Sequence, residues 1–204
     1  MNRFVGLGLA AVLAWGLTAG GAAAAAGAEA SAQGAQAAGT EAARKYFTDT
    51  LLVDQDGREV RFYSDLVAGK TVVIHSMFTE CTGSCPVMAR KYQAIQEHLG
   101  DRIGRDVQLI AITVDPETDT PARLKEHAAK FGAGPGWHLL TGRPENVELV
   151  LGRLGQWVEE RDAHATIFLV GNDRTGLWKK AFGLAQTEEL IALVDSVVDD
   201  PGAP

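Results

Sequence analysis

The chain holds two cysteines, Cys81 and Cys85, in the run Cys81-Thr82-Gly83-Ser84-Cys85-Pro86. Before them, residues 71–78 form an apolar, β-rich run that reads as a buried strand. After them, Met88, Tyr92, Ile95 and Leu99 recur at spacings of 4, 3 and 4, which is one face of a helix. The pair therefore sits at a strand-to-helix junction. A helix N-terminus presents unpaired N–H groups and the positive end of the dipole, and both favour thiolate over thiol. Pro86 has no N–H to lose in the first turn. Two sulfurs placed this way, one on the loop and one at the helix start, can converge on a single small cation. Soft thiolates are the ligands that select Cu(I). The bland alternative is an inert structural disulfide.

Two sulfurs suffice for Cu(I), whereas Cu(II) wants nitrogen as well. Of the five histidines, His164 is best placed to supply it. It stands directly before the apolar run 165–170, with Asp162, Ala163 and Ala165 around it, in an expected loop. On these residues alone a packing or surface histidine remains the competing interpretation. His75 lies inside an apolar strand and reads as a core or edge histidine. His98 and His127 sit on helices among charged neighbours and are expected to face solvent. His138 follows Trp137 in a short strand and receives no role. Met77 and Met88 bring thioethers near the cysteines, with packing as their expected use.

These groups need elements to position them. Residues 47–53 and 60–62 flank Asp54-Gln55-Asp56-Gly57 and predict a hairpin. Strands are expected at 71–78, 107–114 and 137–140, and a strand pair at 165–170 and 177–182 around the turn 171–176. Helices are expected from Pro86, from Thr120-Pro121 to about 131 with a capping hydroxyl and a first-turn proline, and from 141–144 to about 154. A last helix, capped by Thr187, carries the stripe Leu190, Val194 and Val197. Alternating strands and helices predict an α/β fold, a mixed and largely parallel sheet flanked by helices, with an N-terminal hairpin. Such sheets place their chemistry at the carboxyl ends of strands, where Cys81 and Cys85 lie.

The 204 residues suit one ordinary domain with a leader. A net charge of −7 offers no basic patch to displace counterions, so no nucleic-acid partner is expected. Residues 1–30 begin with Arg3, continue through an apolar stretch and end in small residues at Ala28-Glu29-Ala30. That is the layout of a signal peptide, with an uncleaved membrane anchor as the alternative. Residues 31–43 read as a flexible linker and 44–200 as the folded domain. The domain is thus expected to be exported: periplasmic, or anchored through its N-terminal segment and facing the periplasm.

At these residues the chain resembles the Sco/SenC family of copper-binding, thioredoxin-like proteins. Cys81-Thr82-Gly83-Ser84-Cys85-Pro86 matches its CxxxCP. The run Val114-Asp115-Pro116-Glu117-Thr118-Asp119-Thr120-Pro121, with Leu124-Lys125, looks like its VDPExDTPxxLK segment. Leu140-Thr141-Gly142 resembles its LTG block, and Asp162-Ala163-His164 before Thr166-Ile167-Phe168-Leu169-Val170 resembles its DH-strand segment. The likeness covers about 47–198. Two positions differ: Ala163 separates Asp162 from His164, and Glu80 stands where the family commonly has His.

The resemblance implies a thioredoxin-like domain with Cys81, Cys85 and His164 as ligands of one copper per chain, as Cu(I), Cu(II) or both. It further implies a metallochaperone for copper-centre assembly in a respiratory oxidase, whose partner is a copper-accepting membrane oxidase subunit. The alternative is a thiol–disulfide oxidoreductase in which Cys81 and Cys85 act on the cysteines of a copper-site apoprotein. Against it, oxidoreductases of this fold carry Cys-x-x-Cys, one residue shorter, and a proline before the strand that 165–170 would form. A peroxide-reducing enzyme would need an arginine beside one cysteine, and Arg90 is the nearest in sequence.

Overall fold

The computed structural model describes residues 41–202. The expected leader, 1–30, and residues 31–40 lie outside that range. Among the described residues, no helix is long and apolar enough to cross a membrane. A helix, α1 (41–47), comes first. The strands are β1 (Leu51–Asp54), β2 (Glu59–Arg61), β3 (Thr71–Met77), β4 (Val107–Thr113), β5 (Trp137–Thr141), β6 (Ile167–Asn172) and β7 (Leu177–Phe182). The further helices are α2 (Cys85–Leu99), α3 (Pro121–Lys130), α4 (Pro144–Leu154) and α5 (Thr187–Val198), and a π-helical segment covers Phe62–Val67.

The seven strands make one sheet in the order β2-β1-β5-β4-β3-β6-β7. Every residue of β3 and β4 is buried, the polar Thr71, His75, Ser76, Gln108 and Thr113 included, as in strands covered on both faces. One face packs Val73, Met77, Leu109, Trp137 and Phe168 against α2, α3 and α5. The other packs Leu52, Ile74, Ile110, Ile112 and Leu169 against α4 and the π-helical segment. The mixed sheet and the hairpin (β1 against β2, Leu51 opposite Arg61) are as expected, except that the first arm begins at Leu51, not 47, because Phe47 closes α1. The largely parallel character is not. Only β3–β4 and β4–β5 run parallel, joined by helical crossovers, while four pairings are antiparallel.

The pairing of β6 with β3 matters most. Thr71 lies opposite Asn172 and Ile74 opposite Leu169, so the chain entering β6 comes in beside the chain leaving β3. Continuing that register by counting brings His164 level with Thr79, two residues before Cys81. It is this antiparallel return, not parallel packing, that carries the histidine loop to the cysteines. The outer strands carry charge: Glu59 and Arg61 on β2, and Lys179 and Lys180 on β7, where Lys179 Nζ donates to Ser196 Oγ at 2.8 Å.

Two further expectations are corrected. Thr187 does not cap α5. Gln186 occupies the cap with extended backbone, and Thr187 is the first helical residue. His127 does not face solvent but is 8% exposed, with its ring 5.0 Å from that of Phe131. Leu124, His127, Ala128 and Phe131 follow the i, i+3, i+4, i+7 spacing of a buried stripe, which outweighs the charged neighbours on the opposite side of α3.

His75 is a core histidine, as expected. Its Nδ1 lies 2.9 Å from the Ser76 carbonyl, and its ring meets Tyr92 edge-on at 4.6 Å. Burial pulls its pKa down to about 4, so the folded state keeps it neutral. The unfolded chain takes up that proton near pH 6.5, and stability is therefore lost as pH falls from about 6.5 towards about 4, by up to roughly 3 kcal/mol. Burial also lowers His127 and His138, with the same sign. The urea midpoint of the wild type should fall more steeply between about pH 7 and about pH 5 than that of His75→Leu. Parallel curves would show that His75 does not titrate with unfolding.

Candidate metal centre

The cysteine loop begins where β3 ends and is fixed before it reaches a sulfur. Asp119, fully buried in the stretch after β4, accepts from the Thr79 main-chain N–H at 3.0 Å, from the Thr79 hydroxyl, and from Thr113 Oγ1 at 2.6 Å. The Cys81 N–H then turns back to the Phe78 carbonyl at 3.2 Å. α2 starts at Cys85 with proline in its first turn, as the sequence predicts. Cys81 is half-buried, Cys85 is 1% exposed, and both are free thiols.

The histidine loop starts at Gly155, whose left-handed backbone (φ 67°) ends α4. It passes through a single 3-10 turn, Arg161–Ala163, to His164. There Nδ1 lies 2.9 Å from the Arg161 carbonyl and Nε2 3.2 Å from Cys85 Sγ. A carbonyl only accepts, so Nδ1 donates to it, and Nε2 is the ring nitrogen turned to the Cys85 sulfur. The ring stands edge-on to Phe78 at 5.4 Å, and Thr166 Oγ1 donates to Ser84 Oγ at 3.2 Å. The loop is thereby tied to both sides of the cysteine motif.

The ligand atoms of Cys81, Cys85 and His164 all lie within 4.8 Å of one another. Metal–sulfur bonds of about 2.3 Å and metal–nitrogen bonds of about 2.0–2.1 Å put the donors of a three- or four-coordinate ion roughly 3.5–4 Å apart. The donor set therefore fits a soft or borderline cation with only small movement. One expectation changes. Burial, followed by the hydrogen bond and charge of Cys81, pushes the Cys85 thiol well above its ordinary range. The helix N-terminus does not outweigh the loss of water around a sulfur enclosed on all sides. Without a cation the inner sulfur keeps its proton.

The site opens into a depression of about 290 Å³ lined by Phe78, Glu80, Cys81, Arg161, His164 and Thr166 among others, with Cys85 beneath it. Larger depressions, about 490 Å³ beside Trp137 and about 590 Å³ between Tyr46 and Trp178, bring together no such donor trio among the described residues. Met77 and Met88 are buried packing residues. His98 pairs with Asp195 at 3.0 Å and His138 meets Gln108 at 2.9 Å, both away from the sulfurs. Arg90 is exposed on α2. No cis peptide occurs among the described residues, and the approach to β6 is Ala163-His164-Ala165-Thr166.

Two contributors escaped the sequence analysis. Asp119 was visible within Asp115-Pro116-Glu117-Thr118-Asp119, but nothing in the spacing tied it to Thr79, 40 residues earlier. Arg161 stands three residues before His164, and nothing in the spacing links its side chain to Glu80 or Asp115.

A family model described as SCO1/SenC matches residues 36–198. A SCO2-like protein of Rickettsia conorii is 36% identical over 100 residues, which cover 49% of this chain and 46% of that protein; the chain spans about half the length of the curated relatives it matches. ScoI of Bradyrhizobium japonicum, solved with copper bound, aligns over 72% of this chain and 95% of its own at 27% identity, TM-score 0.59. BsSco, described as a member of the Sco family of cytochrome c oxidase assembly proteins with a disulfide switch, aligns over 74% and 91% at 26% identity, TM-score 0.61. The thioredoxin-like fold expected from the sequence is the fold of these neighbours.

The Asp119 bracket makes a direct prediction. Asp119→Ala strands a buried donor on Thr113 and half-buried ones on Thr79 and should cost about 2–4 kcal/mol in urea unfolding, with Asp119→Asn costing less. A loss in Asp119→Ala below about 0.5 kcal/mol would mean that water replaces the carboxylate without penalty.

Proposed function

The chain belongs to the SCO1/SenC family, and from that premise we propose that it holds one copper ion through Cys81, Cys85 and His164 and passes it to an acceptor during copper-centre assembly in a respiratory oxidase. The observation that carries this reading is the meeting of two sulfurs and an imidazole nitrogen contributed by residues 79 positions apart. Two thiolates suit Cu(I), and adding an imidazole suits Cu(II). In the metal-free site burial keeps the proton on Cys85, and the incoming cation displaces it.

Transfer by ligand exchange has an order built into it. Cys81 and His164 line the open depression while Cys85 lies beneath. An acceptor's thiol or imidazole therefore meets copper on the outer side and displaces outer ligands first. The copper-bound relative and the oxidase-assembly description of another support cargo and pathway. The leader layout of residues 1–30 supports export, with the domain periplasmic or held at the membrane by that segment and the acceptor a membrane oxidase subunit.

A thiol–disulfide exchange role is the second reading, favoured by the accessibility of Cys81 and the reduced state of both cysteines. There the Cys81 sulfur attacks a partner disulfide, releases one partner thiol, and Cys85 resolves the mixed disulfide to free the other. The chain's own cysteines end oxidised. The buried, protonated Cys85 and the histidine at the approach to β6 weigh against it.

Anaerobic copper titration separates the two readings. Wild type should take up one copper per chain, with a thiolate-to-copper charge-transfer band in the Cu(II) form. His164→Ala should lose that band while still holding Cu(I), and Cys85→Ala should lose both. Apparent affinity should rise by at least about tenfold per pH unit between about pH 7 and about pH 8.5, because at least the Cys85 proton leaves on binding. Stoichiometric copper kept by Cys85→Ala through dialysis would sink the carrier reading.

A further inference from the structure

We propose that Arg161 is a positioning residue of this site: its guanidinium, clamped by Glu80 and Asp115 and laid over Phe78, fixes the main-chain carbonyl that aims His164. The proposal rests on the reading of Cys81, Cys85 and His164 as copper ligands.

The histidine loop between α4 and β6 has little regular structure of its own. Its one 3-10 turn is closed by the Ala163 N–H to the Glu160 carbonyl at 2.9 Å. Arg161 supplies what that turn lacks. Its Nη1 donates to Asp115 Oδ2 and reaches Glu80 Oε2 at 3.3 Å, and its guanidinium carbon stands 5.1 Å from the centre of the Phe78 ring. The carbonyl of the same residue accepts from both the His164 main-chain N–H, at 3.3 Å, and Nδ1, at 2.9 Å. One residue thus carries the side-chain anchor and the ring's orienting acceptor.

The partners lie on the other elements of the site. Glu80 directly precedes Cys81 and is held from its far side by Arg123 Nη2 at 2.9 Å. Asp115 follows β4, and its N–H is fixed to Thr113 Oγ1 at 2.9 Å. Phe78 ends the run from β3 and also receives the edge of the His164 ring. Arg161 therefore ties the histidine loop to the cysteine loop and to the end of β4 at once. Removing its side chain leaves the carbonyl chemically intact and takes away one positive charge, which by itself would favour a cation, so a fall in Cu(II) affinity reports the lost positioning of His164.

Exposure makes this separable from folding. The side chains of Arg161 and Glu80 are 42% and 46% exposed and that of Asp115 15%; ion pairs whose cation is this open to water contribute little to global stability. Groups that orient a metal-binding histidine, by contrast, commonly change affinity by about tenfold or more.

The test compares wild type, Arg161→Ala, Arg161→Lys and the double variant Glu80→Gln/Asp115→Asn, which removes both carboxylate charges and keeps the arginine. Cu(II) affinity by chelator competition should fall roughly tenfold in Arg161→Ala and comparably in the double variant, with partial recovery in Arg161→Lys. The charge-transfer band should shift or weaken alongside. Cu(I), which the two sulfurs hold, should change less than about threefold, and melting temperature by no more than a few degrees. Cu(II) affinity and band in Arg161→Ala within about twofold of wild type would overturn the proposal.

A metal-free measurement keeps the two readings apart. The His164 amide proton, which bonds the Arg161 carbonyl, should exchange about tenfold faster in Arg161→Ala. If wild type binds no copper, the carrier reading falls while this exchange rate still judges Arg161. Equal rates in wild type and variant would refute the positioning role.

Discussion

The register of β6 against β3 decides where His164 lies, because residues entering one antiparallel strand arrive beside residues leaving the other. That register is held by core packing. Phe168 and Val170 face one side of the sheet and Leu169 the other, each within its own apolar cluster. A slip by one residue would turn all three to the wrong face and carry the imidazole away from the sulfurs. The donor trio is therefore a by-product of ordinary apolar burial, and its accuracy is inherited from a strand pair whose Met77 and Phe168 share one apolar cluster with Cys85.

The chemistry of the trio follows from the same enclosure. Burial that would be harmless to a leucine makes a lone thiolate costly, so Cys85 stays protonated beside the imidazole. A soft cation removes the difficulty by bringing the opposite charge into the space the proton held. The half-buried Cys81 faces the open side. The two sulfurs are chemically identical and physically unlike, and the difference gives the site an inside and an outside.

Much of this could be read from the amino-acid order. The stripe Met88, Tyr92, Ile95, Leu99, the Thr120-Pro121 helix start and the cysteine motif at a strand–helix junction are local patterns, and local physics determines them. What could not be read was non-local. The direction of β6 depends on how the loop after α4 travels, and no spacing encodes that. Asp119 and Arg161 act on residues 40 and 81 positions away. The protonation of Cys85 reflects competition between a helix terminus and desolvation, and the second is visible only once the surrounding atoms are in place. His127 is the instructive exception: its helical spacing with Leu124, Ala128 and Phe131 was legible but was overruled by its charged neighbours.

The two outermost strands carry a consequence of another kind. A sheet edge offers unpaired main-chain groups to any extended segment nearby, and β2 and β7 are such edges. Glu59 and Arg61 on one, Lys179 and Lys180 on the other, would have to surrender their hydration for a foreign strand to add there. Recruitment into aggregates is thereby discouraged at both margins of the sheet.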